Sequence, residues 1–538
     1  MISRRHFFRS AAAAALLPSV ARAQAPVPIA ADWQSFVAAY RVPDWFRDAK
    51  FGIWAHWGPQ CVPEFGDWYG RQMYIQGNPY NEHHVRTYGH PSRFGFMEFI
   101  GRWRAERWAP ETLMALYRRA GARYFMSMAN HHDNFDNFDS AHHEWNSLRV
   151  GPRRDIVGTW ARIARDAGLR FGVSNHSGHA WHWWQTAYGY DPEGPMRGRR
   201  YGAYRLGREE GARTWWEGLD PQALYTGPRM VPPDGLRTIE AMRSWHDAHS
   251  GQWVEHAPPG DPGYVRQWLM RQMDLVEKYR PDIVYLDHYR LPFGQAGLDA
   301  VAHYYNRSLA WHGAIDVALT ANRLSHYQRY GIMENVERGF VEEVRPVPWQ
   351  TATCLGNWHY DRGLFERHGY RSAENVVQRL CDAVSKNGNL LLSVPMRGDG
   401  SIDEDEERIL ADLAAWFDVH GEAVYGTRPW RSFGEGPTRP PEGHQREGDA
   451  APFTSRDIRF TTKDGALNVF FLVWPEEEAV VESLGTRRLP EAAIERVEHL
   501  GGGPLEFSRD EAGLRFTLPR PAPGMFVPAV RIRGRGLV

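Results

Sequence analysis

From about residue 51 to 395, short β-rich apolar runs alternate with amphipathic stretches, the pattern of parallel βαβ units. Predicted strands are Phe51–His56, Tyr124–Met128, Leu169–Ser174, Ile283–Asp287, Val317–Thr320 and Asn389–Val394. Apolar residues spaced i, i+3, i+4 predict helices over 111–120, 159–167, 265–279, 297–311 and 373–386. The alternation predicts an α/β fold, a (β/α)8-like barrel over 32–420. In such a barrel the C-terminal strand ends share one face, so His56, Asp287 and the residues after Met128 are expected to meet there.

Two stretches break the pattern. Residues 188–262, rich in Gly, Pro, Arg and Trp, lack any period and interrupt the third βα unit, as a substrate-shaping rim insertion does. Beyond 421, alternating runs over 457–461, 466–473, 494–500, 513–518 and 527–532 are punctuated by Gly, Pro and Asp. They predict a C-terminal antiparallel β-sandwich domain over 421–538, entered through a flexible polar loop over 433–452.

The N-terminus adds a destination. Ser3-Arg4-Arg5-His6-Phe7-Phe8-Arg9, the apolar run Ala11–Leu17 and Ala21-Arg22-Ala23 read as a twin-arginine signal peptide over 1–23. The run is too short to stay in a bilayer, so a periplasmic or secreted protein with no membrane attachment after signal removal is expected. Cys61, Cys354 and Cys381 form neither a disulfide framework nor a zinc spacing. A net charge of -1 over 538 residues offers nucleic acid no attractive field. Of the 23 Trp, Trp68, Trp181 and Trp349 lie in polar loops, where a ring serves as a sugar platform.

Asp287 ends the most hydrophobic strand, which puts a carboxylate at the barrel mouth, poised for nucleophilic or acid/base work. Glycosidic cleavage needs a second carboxyl group, and Glu334, Glu337, Glu342 and Glu343 are candidates. Glu337, in Asn335-Val336-Glu337-Arg338-Gly339, closes a short strand-like segment. In Asn130-His131-His132-Asp133-Asn134-Phe135, the paired imidazoles suit hydrogen bonds to sugar hydroxyls. Together with Asp133, His176, His179 and His182 they also keep open a metal-dependent hydrolase. Against it, the chain has no His-Glu-x-x-His pair and no Cys cluster, so no metal and no cofactor is expected. A non-catalytic carbohydrate-binding protein is the other alternative. No Gly-x-Ser-x-Gly elbow supports a serine hydrolase.

Taken in order, these segments resemble the α-L-fucosidases of glycoside hydrolase family 29. The resemblance runs through Phe51–Gly58, Val62–Tyr69, Arg123–Ser140, Tyr279–Asp287, Asn322-Arg323, Val336–Arg338, Pro348–Gln350, Leu355–Tyr360, Lys386–Val394 and Arg459–Gly465. It implies a retaining exo-glycosidase acting on a fucosylated oligosaccharide or glycoconjugate. Asp287 would be the nucleophile and Glu337 the acid/base, with Glu334 next in line. His56, Asp67, Trp68, His131 and His132 would bind the sugar, with Arg323 in the same pocket. Two departures touch that pocket: Tyr285 stands where the family usually has Trp, and Ser174-Asn175-His176 replaces tyrosines at the end of the third strand. They leave room for a sugar closely related to fucose.

Overall fold

Eight strands, β1 Phe51–Ala55, β2 Tyr124–Asn130, β3 Arg170–Asn175, β4 Ile283–Tyr289, β5 Ala318–Asn322, β6 Met333–Glu337, β7 Trp349–Cys354 and β8 Gly388–Ser393, close into a parallel barrel in chain order. This computed structural model describes residues 28–226, 230–251 and 261–538; the expected signal peptide over 1–23 lies outside the described residues. Helices α1 Pro110–Arg119, α2 Ile156–Asp166, α3 Pro262–Tyr279, α4 Gln295–His312, α5 Ala373–Ser385 and α6 Glu404–His420 pack outside. Asp155, Asp261, Ser372 and Asp403 each cap the first backbone amides of a following helix, which fixes where α2, α3, α5 and α6 begin.

Of the barrel strands and the six helices just named, two strands and one helix fall outside the sequence prediction. The β5 to β6 connection holds only a 3₁₀ turn, Gln328–Tyr330, among its helical elements, so no helical period announces β6 or β7. Both strands also face polar residues inward, Asn335 and Gln350, which hides the apolar alternation of a buried strand. Helix α6 buries Ile409, Leu410, Leu413, Trp416 and Phe417 against the barrel and the C-terminal sheet.

The C-terminal region is antiparallel throughout. Strands β9 Arg428–Glu435, β10 Ile458–Lys463, β11 Ala466–Phe471, β12 Ala479–Val481, β13 Ala493–His499, β14 Gly503–Pro504, β15 Phe507–Arg509, β16 Leu514–Phe516 and β17 Ala529–Arg535 make two sheets. Their orders are β14-β13-β17-β11-β10-β9 and β12-β16-β15, over a core that includes Phe460, Val469, Phe516 and Ile532. The expected loop over 433–452 is different in kind. Its first residues belong to β9, and residues 443–447 pair with the barrel backbone: the Gly443 amide donates to the Phe340 carbonyl, and the Glu447 amide to that of Arg338.

The expected rim insertion packs beside the barrel. Tyr201, Leu224 and Tyr225 join the main core, and Asn134 donates to the Ala223 and Leu224 carbonyls. No helix among the described residues is long and apolar enough to cross a membrane.

Candidate active site

Strand parity sorts the candidate side chains, because alternate residues of a barrel strand face the lumen. On β6, Asn335 bonds lumen groups and Glu337 lines the mouth, while Glu334 and Val336 face outward. Glu334 is held by Arg329 at 2.7 Å and by Arg345, so the second acid/base candidate is spent in an ion cluster. Glu342 and Glu343 are exposed surface residues. The same parity corrects Trp349: its indole points away from the lumen, donates to the Lys386 carbonyl at 2.9 Å and packs with Val336, Val341 and Ala383. Trp181 is likewise buried beside Asp261 rather than set against the mouth.

A cavity of about 500 Å³ opens at the C-terminal strand ends. Its lining includes His56, Asp67, Trp68, His131, His132, Asp287 and Glu337, seven of the residues singled out from the sequence, together with Trp54, His176, Tyr285, Tyr289, Trp358 and Gln445. Arg323 stands one layer behind: its guanidinium lies 4.0 Å from the ring centre of Tyr289, and Tyr289 forms the wall. No described residue of the 188–262 insertion lines the cavity. A larger cleft of about 920 Å³ on the C-terminal sheets is edged by Arg456, Arg488 and Glu476–Glu478 and shares none of these groups.

The two carboxyl groups sit in opposed environments. Asp287 Oδ2 is 2.8 Å from His176 Nδ1, and Oδ1 accepts from the Tyr285 hydroxyl at 3.0 Å and Asn322 Nδ2 at 3.2 Å. Burial opposes its ionisation, but His176, by charge and hydrogen bond, outweighs burial and holds the carboxyl well below the usual carboxylate range. Glu337 is pushed up to about 8, first by burial and then by the negative charge of Asp287. Two titrating groups driven apart in one cavity define an anion and an acid at neutral pH.

Behind Asp287 a directional chain of side-chain hydrogen bonds crosses the lumen. Tyr124 donates to Gln350 at 3.1 Å, Gln350 to Asn335 at 3.1 Å, Asn335 to Asn322 at 2.8 Å, and Asn322 to Asp287. Each amide accepts on its oxygen and donates through its nitrogen, so the chain has one sense and ends on the carboxylate.

The histidines differ in what they offer a ligand. Gln60 Nε2 donates to His131 Nδ1 at 2.7 Å, which leaves the proton on Nε2 as a donor. His132 Nδ1 donates to the His176 carbonyl at 3.0 Å, which leaves Nε2 as an acceptor, 3.7 Å from Asp287 Oδ2. His56 is buried with neither ring nitrogen partnered among the described residues, so a ligand hydroxyl would complete it. Burial, reinforced by neighbouring imidazoles, holds all three well below the ordinary histidine value, and they meet a ligand as neutral rings. Asp67 is fixed by the backbone amides of Trp358 at 3.1 Å and His359 at 2.7 Å. Trp68, in left-handed backbone at φ 61°, is 37% exposed at the rim, where a ring can cover a sugar face.

Two trios, His56 with His131 and His176, and His132 with His176 and Asp287, bring ligand atoms within 4.8 Å of one another. Among the described residues they are the groups that could hold a transition metal. The second trio would give up the 2.8 Å hydrogen bond between His176 and Asp287 to do so. Of the other candidate ligands, His179 lines the cavity, whereas Asp133 and His182 do not; Asp133 instead accepts from the Phe135 amide.

The floor under the paired histidines is cross-linked by buried side chains. Arg271 on α3 grips Asp136 through Nε at 3.0 Å and Nη2 at 2.6 Å, and Asn130 bonds both Asp136 and the amides of His176 and Ser177. The ends of β2 and β3 are thereby tied to one buried ion pair.

The profile of the family described as Alpha-L-fucosidase matches residues 16–422 of this sequence. The chain belongs to the α-L-fucosidase family. It is therefore a glycoside hydrolase, and its relatives span nearly its whole length. Tissue alpha-L-fucosidase of Homo sapiens is 26% identical over 519 residues, covering 95% of this chain and 92% of the relative. That of Rattus norvegicus is 26% identical over 520 residues, covering 93% and 91%. Among solved structures, Thermotoga maritima alpha-fucosidase in complex with fucose superposes with a TM-score of 0.66 at 26% identity, covering 93% of this chain and 99% of that one. Within this α-L-fucosidase family member, His176 occupies the departure noted at the end of β3 and takes the place beside Asp287.

Trp358, Tyr289 and Gln445 are among the lining residues that escaped the sequence reading of the site. Trp358 lies within a quoted motif, and its position next to His359 in a polar loop was a usable signal. Tyr289 continues the period-two face of Tyr285 and Asp287. Gln445 had no local signal, since it arrives from the C-terminal region.

Proposed function

We propose that the protein releases terminal α-L-fucose, or a closely related sugar, from fucosylated glycans with retained anomeric configuration. The observation that carries this is the pair of carboxyl groups lining one cavity in opposed surroundings, Asp287 among hydrogen-bond donors and Glu337 buried beside that anion, which favours an ionised Asp287 and a protonated Glu337. An Asp287 oxygen attacks the anomeric carbon as the glycosidic carbon–oxygen bond breaks, and Glu337 gives its proton to the departing oxygen. The product is a glycosyl ester of Asp287. Water then attacks the same carbon, Glu337 takes its proton, and the ester bond breaks to restore both carboxyl groups.

His131 as donor, His132 as acceptor and His56 with both nitrogens open suit the alternating hydroxyls of a pyranose, and Trp68 suits an apolar sugar face. Fucose as the glycone is supported by family membership and by the fucose complex of the Thermotoga maritima relative. The mechanism uses no metal, so activity should survive EDTA; a loss that added Zn2+ restores would favour the metal-dependent reading.

The deciding assay is p-nitrophenol release from p-nitrophenyl α-L-fucoside beside a panel of other pyranosides, with Asp287→Ala as control. Fucoside turnover lost in the variant supports both glycone and nucleophile. Turnover of a different pyranoside alone would discard fucose, and silence throughout would favour a binding protein. The Arg4-Arg5 pair supports export by the twin-arginine route to the periplasm or beyond. Replacing both by Lys should leave the uncleaved protein in the cytoplasmic fraction, and unchanged export would overturn that reading.

A further inference from the structure

Glu337 is contacted by a segment that the barrel does not encode. Residues 436–452, between β9 and β10, leave the C-terminal sheet and lie along the end of β6. The Gln445 amide donates to the Glu337 carbonyl at 2.9 Å, and the Glu337 amide donates to His444 Nδ1 at 3.2 Å. The other imidazole nitrogen of His444 lies 3.3 Å from the Arg323 amide, so one ring bridges the ends of β5 and β6.

The fit is tight. A Cβ on Gly339 would stand 1.9 Å from the Gly443 carbonyl oxygen, so only glycine lets the two chains pass there. Downstream, the buried Glu447 carboxylate accepts from the Thr353 hydroxyl at 2.8 Å and pairs with Arg379 at 3.1 Å and with Arg371. Between these anchors, Gln445 is held in left-handed backbone at φ 57°, a conformation costly to a residue with a Cβ, and its side chain lines the catalytic cavity. The main-chain contacts need no particular side chain at 445. The carboxamide in the cavity is what remains to be explained.

We propose that Gln445 is a positioning residue for the acid/base: its carboxamide, delivered by the strap over 436–452, orients the Glu337 carboxyl toward the leaving-group oxygen. This rests on the reading of Glu337 as acid/base. Around that carboxyl, Asp287 from β4 and Asp67 from the loop after β1 favour the protonated form. Arg338 beside it and the Gln445 carboxamide favour the anion, and His444 meets its backbone. The carboxamide therefore stabilises the form that Glu337 reaches after donating its proton.

The test compares two substrates of the full chain, phenyl α-L-fucoside, whose leaving group needs a proton, and α-L-fucosyl fluoride, whose leaving group does not. Gln445→Gly removes the carboxamide and relaxes the left-handed backbone, so it is the variant least exposed to misfolding. Expected are a fall of about tenfold in kcat/KM for the phenyl fucoside, little change for the fluoride, and a shift of the alkaline limb to higher pH. Gln445→Asn, which keeps a shortened carboxamide, should recover part of the loss. Equal losses on both substrates, or no loss on either, would overturn the proposal. Glu337→Ala is run beside it: if that variant fails to discriminate between the two leaving groups, the acid/base assignment itself falls, independently of Gln445.

Discussion

At the scale of single residues, the site works by giving two carboxyl groups different neighbours. The reactive form has Asp287 charged and Glu337 protonated. Because Glu337 is raised to about 8, the required proton is present below that value and lost as pH rises through it. The kcat/KM profile should thus be flat through neutrality and fall to half near pH 8; a half-point near the ordinary glutamate value would contradict the assignment. Glu334 and Glu337 offer a sharper contrast, being three residues apart on opposite faces of β6. Glu334→Gln should keep fucosidase activity while lowering the melting temperature, since it leaves Arg329 and Arg345 without their buried carboxylate. Glu337→Gln should keep the melting temperature and lose turnover of substrates with basic leaving groups. The sequence made Asp287 legible because an acidic residue ending an apolar strand has few structural uses. It made Trp349 misleading, because a Trp flanked by Pro and Gln looks like a loop platform until the strand parity is known.

At the scale of elements, the barrel was legible wherever a strand faced apolar side chains inward or was followed by a long helix. Strands β1 to β5 and β8 meet that condition in whole or part; β6 and β7 do not. Their inward positions carry Asn335 and Gln350, the middle of the hydrogen-bonded chain from Tyr124 to Asp287. The feature that hid the two strands is thus the one that prepares the nucleophile. Asn322→Leu should remove a donor from Asp287 and the shorter of the two acceptors of the Asn335 amide, costing about 1 to 3 kcal/mol of stability in a denaturant titration. It should also move the acid limb of kcat/KM to higher pH, because a carboxylate with fewer donors is a weaker acid. An unshifted acid limb would mean that His176 and Tyr285 set the charge of Asp287 without Asn322.

At the scale of the whole molecule, the barrel and the C-terminal sheets share buried charge as well as apolar surface. Asp382 on α5 bonds Lys386 at 2.9 Å and Arg459 on β10 at 2.7 Å, with all three side chains at most 2% exposed. Arg459→Met would leave Asp382 with one cation and should destabilise the chain by about 3 kcal/mol, read as a lower denaturant midpoint. A single cooperative transition should persist if barrel and sheets unfold together. The sequence announced both regions by their periods but not their union, because Arg459 and Gln445 meet their partners only after folding. The strap has a further consequence for a chain synthesised from its N-terminus. Asp287 and Glu337 leave the ribosome well before Gln445 exists, so a growing chain holds both reacting groups without the carboxamide that aims one of them. Full catalytic competence is then acquired late, after the last region has been made and has reached back across the first.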